Sequence, residues 1–130
     1  MQPITILRAD EIEAYSGPHE IPGIKFRTAR QALGVTSWGM NVLSLDAHCD
    51  GYPEHDHQSE AHEEVYVVLR GSVVLQARGE EHVLEAGQMV RVAPEVKRKL
   101  VTRDEAALVL ALGGTPGKAY EAAMGSGSSD

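Results

Sequence analysis

The sequence predicts an all-β domain, folded as an antiparallel sandwich or barrel, and three observations carry that reading. Short runs rich in β-branched and apolar residues recur from Lys25 onward at intervals of about 8–12 residues. Glycine, proline and charged residues break the chain between them. Only one short segment has a helix start signal, which disfavours alternating helix and strand.

Near the front, Asp10 is placed as an N-cap with Glu13 three residues on, and Ser16-Gly17-Pro18 stops the segment. A short N-terminal helix over Asp10 to Tyr15, outside the barrel, is therefore expected. Ile4 to Leu7 and Lys25 to Arg27 are strand-like. Val35 to Asp46 reads as a strand in which Trp38, Met40 and Val42 share one side, with Trp38 and Met40 as core filling. Glu64 to Arg70 is the clearest strand; Gly71-Ser72 is expected to turn the chain, and Val73 to Arg78 to return. Gly79-Glu80-Glu81 turns again before His82-Val83-Leu84. Met89 to Ala93 ends at Pro94, which has no N–H to donate to a ladder. Arg98 to Thr102 and Ala107 to Leu112 complete the set. The whole reads as one domain over residues 1–124, with its core at about 35–112, followed by a flexible Gly/Ser tail at 125–130.

Composition narrows the function. The 130 residues include 19 acidic and 12 basic side chains, a formal charge of −7, which argues against a nucleic acid or an anionic membrane as the main partner. Hydrophobic residues make up 42%, enough for a core, yet the apolar runs are far short of the roughly 20 residues that cross a bilayer. Met1 to Asp10 has no secretory pattern, and Cys49 is the only cysteine, so no internal disulfide forms; a cytoplasmic location is expected.

His48, His55, His57 and His62 place four of the six histidines within fifteen residues. His55 and His57 are two apart, so in an extended segment both imidazoles leave one face. Two imidazoles and a carboxylate from the next strand make a set for a divalent transition metal. Glu63 and Glu64 both open that strand. Val65, Val67 and Leu69 share the face of Glu63, and Tyr66 and Val68 that of Glu64, so alternation alone leaves the choice open. His48, beside Cys49 at a strand end, is read as structural.

Gly51-x-x-x-His55-x-His57, then Glu64 and Gly71, resembles the first motif of the cupins, and Gly87, Met89 to Ala93 and Pro94 resemble the frame of the second. The resemblance covers about Val35 to Leu112. It implies a cupin-type barrel (a double-stranded β-helix, or jelly roll) in which His55, His57 and Glu64 bind a divalent metal: Fe, Zn, Mn, Ni or Cu. The spacing to Gly71 selects Glu64 over Glu63 as the family's glutamate. The interval from His57 to Glu64 is longer than the family pattern, and His62, inside the extra stretch, is the candidate additional ligand. The family's fourth ligand, a histidine, is counted to Lys99, which has only donors and cannot ligate a metal. Lys99, from the basic run Lys97-Arg98-Lys99, and Tyr66, on Glu64's face, are assigned to the pocket.

Two functions follow from the resemblance. One is a metal-dependent oxygenase or isomerase acting on a small organic molecule. The other is a metal-free, non-catalytic barrel that binds a small anionic ligand through Lys99. Small cupins commonly pair through sheet edges, so a homodimer is expected, with Ile4 to Leu7 and Lys25 to Arg27 as the edge.

Overall fold

The computed structural model describes residues 3–122, so the tail expected at 125–130 lies outside the described residues. Seven strands form: β1 (Ile24–Arg27), β2 (Gly39–Leu45), β3 (Glu63–Ala77), β4 (Glu80–Glu85), β5 (Met89–Val92), β6 (Arg98–Val101) and β7 (Ala107–Gly114). All pairings are antiparallel, in the order β1-β2-β7-β3-β4, with β5 and β6 also on β3.

The organising element is β3, 15 residues long. Its first half pairs with β7 and β5, and its second half with β4 and β6, so one strand belongs to both sheets of the jelly roll. The change of sheet occurs at Gly71, where a turn was expected. The chain does not reverse there. It bends, with a register shift between Val68 and Arg70 and a left-handed φ of +78° at Gly71. A Cβ at that position would stand 1.9 Å from the Ala106 carbonyl oxygen, so only glycine fits. The real reversal is at Arg78-Gly79, both at positive φ, a two-residue hairpin turn whose twist matches the flanking strands.

Alternation sends Leu43, Leu45, Tyr66, Val68, Val73, Leu75, Leu100 and Val109 to one continuous core between the sheets. The other face of β2 and β7 has a smaller cluster of Val42 and Leu108 with Ala29 of α1 (Ala29–Leu33). This one-turn helix lacks a sequence signal strong enough to have been anticipated; Gly34, left-handed at φ 81°, caps its end. Met40 packs against this outer cluster, and Trp38 is 47% exposed, so neither fills the barrel core.

The helix expected at Asp10 to Tyr15 is reduced to a 3-10 turn, Ala9–Glu11. Ile12 is already extended, and its carbonyl accepts from Arg27, while the Tyr15 N–H donates to the Phe26 carbonyl at 2.6 Å. Tertiary bonds to β1 therefore outcompete a helix too short to be stable alone.

Candidate metal centre

The segment from Gly51 to His62 runs across the open end of the barrel before β3 begins. His55 is fixed by a backbone bridge to Arg98 of β6: its N–H donates to the Arg98 carbonyl at 3.0 Å, and the Arg98 N–H returns a 2.8 Å bond. The His57 N–H donates to the Pro94 carbonyl at 2.9 Å. Both rings thus face inward, at 4.9 Å centroid separation and edge to face. Glu64 meets them from β3. Its Oε1 lies 3.9 Å from His55 Nε2 and 3.6 Å from His57 Nε2, and His57 and Glu64 are almost fully buried. Glu63, one residue earlier, points out and pairs with Arg91 at 2.6 Å. The strand that left two glutamates open in sequence thus separates them completely.

Hydrogen bonding assigns the tautomers. His55 Nδ1 stands 3.0 Å from the Pro53 carbonyl, which can only accept, so Nδ1 has the proton and Nε2 the lone pair. His57 Nδ1 stands 3.3 Å from Glu60 Oε1, which fixes the same tautomer. Burial holds the His55 pKa below its ordinary value, against the opposing pull of the Pro53 carbonyl and Glu64, so the ring is neutral near pH 7. Two imidazole lone pairs and a carboxylate oxygen, all acceptors, therefore converge in a buried space. His55 Nε2 has no hydrogen-bond partner among the described residues. A cation could satisfy this arrangement. Donors sharing one ion at roughly 2.0–2.2 Å stand about 3–3.5 Å apart, close to the 3.9 and 3.6 Å from Glu64 to the two imidazoles, and all three ligand atoms lie within 4.8 Å of one another.

Around these three lies a supporting shell. Tyr66, fully buried, donates to Glu64 Oε1 at 2.7 Å. With that proton committed, Tyr66 accepts from Tyr52 at 3.0 Å. Burial, with Tyr52 and Glu64 beside it, raises the Tyr66 pKa well above 10, so the phenol stays protonated. Glu60 orients His57; burial would raise its pKa, but bonds from Ser59 and His57 outweigh this and leave it lowered.

His62 is buried but does not join His55 and Glu64. It groups with His57 and Glu60, 5.7 Å from the His57 ring and stacked on Tyr120 at 5.6 Å. Tyr66 is a core residue beneath the site, whereas Tyr52 lines the cavity above it. That cavity, about 1130 Å³, is also bordered by His55, His57, Glu60, His62 and Thr115.

Lys99 requires a correction. It is half-buried and sits across from Gln76, on the face of β6 opposite that of Arg98 and Leu100. Arg98 turns inward instead, sharing a face with Leu100, and has no exposed surface. The apolar residues on both faces of β6 (Leu100 and Val101) concealed this parity in the sequence. Tyr52, Glu60 and Arg98 are the site residues that sequence reasoning missed. His48 is exposed, 3.7 Å from an exposed Asp104, whereas Cys49 is buried with its N–H on Thr102 Oγ1.

Comparison with known proteins agrees with the fold. The chain is similar to a cupin protein from Bacteroides fragilis, with 21% identity, a TM-score of 0.70, and coverage of 95% of this chain and 94% of that one. It is similar to a sugar phosphate isomerase of the cupin superfamily from Silicibacter pomeroyi, with 24% identity, a TM-score of 0.70, and coverage of 86% and 77%. KdgF from a Halomonas species has 18% identity, a TM-score of 0.66, and coverage of 84% and 93%. A search of curated proteins finds no match. The cupin domain model matches residues 42–112, the stretch that contains the second half of β2, β3 to β6 and most of β7, and the chain belongs to the cupin family.

Proposed function

We propose that this protein is a metal-dependent cupin acting on a small organic molecule, with the ion held by His55, His57 and Glu64. The observation that carries the reading is the convergence of three acceptors, two of them lone pairs fixed by Pro53 and Glu60, on one buried point. Three protein ligands leave coordination positions open toward the cavity. An ion there would supply Lewis acidity toward a carbonyl or enolate, or a binding point for dioxygen. Isomerisation and oxygenation both fit; the isomerase among the structural neighbours supports the first.

Metal analysis tests this. Untagged protein, purified and reloaded with divalent ions, should retain close to one ion per chain, and chelation should lower its melting temperature. Less than about a tenth of an ion per chain, with no effect of chelator, overturns the reading. The second function, a metal-free barrel for a small anion, is supported by the buried guanidinium of Arg98 in place of Lys99. We further propose a homodimer in the cytoplasm. Ile4 and Ile6, 76% and 87% exposed, support an apolar surface for the pairing, although Ile4 to Leu7 forms no strand.

A further inference from the structure

We propose that Arg98 couples metal binding to anion binding, so that the barrel centre takes a divalent ion together with a small carboxylate, the anion lying between the ion and the guanidinium. This rests on the metal site proposed above.

The backbone bridge makes His55 and Arg98 a directly opposed antiparallel pair, with bonds of 3.0 and 2.8 Å, so their side chains leave the same face as neighbours. Arg98 has no exposed surface. Its Nη2 donates to the Ala93 carbonyl at 3.3 Å, but Nε and Nη1 are buried with no hydrogen-bond partner among the described residues. A permanently charged group with two unpartnered nitrogens, three N–H donors between them, is costly to bury and calls for an acceptor.

A divalent ion beside Arg98 brings three positive charges against Glu64, the one carboxylate at the ion, with Glu60 set back behind His57 and partly exposed. In a buried space that imbalance weakens metal binding until another anion enters. A carboxylate matches both demands. One oxygen occupies an open position on the ion, and the other accepts from the guanidinium. A neutral histidine at this inward-facing position would add no charge; the arginine adds one, and the site stays unbalanced until an anion arrives. Because coupling is reciprocal, the metal should strengthen anion binding by the same factor.

Cobalt(II) titrated into the apo full-length chain tests this, followed by visible absorption and calorimetry at constant ionic strength, with acetate exchanged for chloride. The wild type should bind cobalt at least about tenfold more tightly in acetate, although acetate competes weakly for the free ion. Arg98→Met should bind cobalt with no difference between the two buffers. Arg98→His should bind more tightly and show no acetate effect. Equal wild-type affinity in both buffers overturns the coupling and leaves the metal site standing. Absence of cobalt uptake in either buffer overturns the metal site and the coupling with it. A folded Arg98→Met that keeps the acetate effect overturns the role of Arg98, and Arg98→His serves the same purpose where the methionine variant does not fold.

Discussion

Tyr66 donates to Glu64 Oε1 at 2.7 Å, and both side chains are sealed from solvent. A buried carboxylate needs such a donor, since an ionised group without partners in an apolar interior would take up a proton. Tyr66→Phe removes that donor and breaks the link to Tyr52. It should cost about 1.5–3 kcal/mol of stability in urea unfolding, the range for a hydrogen bond to a charged group.

Glu60 governs metal affinity through His57. Its carboxylate accepts the Nδ1 proton at 3.3 Å and so holds Nε2 toward Glu64. Glu60→Ala should weaken metal binding by about 10–100-fold, the usual cost of losing an orienting partner, with little change in the fold. Isothermal titration with zinc measures this. An unchanged affinity would detach Glu60 from the centre.

The apo protein should lose stability as pH falls below about 6.5. His55 has a lowered pKa when folded, chiefly through burial, and regains its ordinary value when unfolded. Between those two values the unfolded chain binds more protons, so stability rises with pH and is complete above the unfolded pKa. Urea midpoints at pH 7.5 and 5.5 should show the fall, and His55→Gln should flatten it.

Gly71 shows how far the strand pattern could be read. Alternation and turn residues locate β2 and β4 to β7 and both halves of β3, which reads as two strands, because half-buried strands impose a period of two on the sequence. A glycine between two apolar runs looks the same whether the chain reverses or merely bends. What separates the cases is the close approach of Ala106, a long-range contact that no local pattern encodes. Gly71→Ala should therefore destabilise the protein by about 3 kcal/mol or more, through a strained φ and a backbone clash. Thermal unfolding measures the loss. Arg98 illustrates the same limit at the site. His55, His57 and Glu64 could be picked out by residue type and spacing, whereas the parity of β6 depends on its register against β3.

The two adjacent glutamates offer the most direct test of the centre. Glu64 is 1% exposed, 3.9 and 3.6 Å from the two imidazole Nε2 atoms, whereas Glu63 is bound to Arg91 on the outer face. Gln at position 64 keeps the size and an acceptor for Tyr66 but removes the negative charge that offsets a bound ion. Glu64→Gln should therefore reduce metal retention to a small fraction of the wild-type value while leaving a folded barrel. Glu63→Gln loses only an exposed ion pair, worth about 1 kcal/mol or less, and should retain metal as the wild type does. Metal content after gel filtration reads both variants side by side. Equal retention by the two would mean that the ion, where one is bound, is held elsewhere. The set of His57, Glu60 and His62 would then be the next place to mutate.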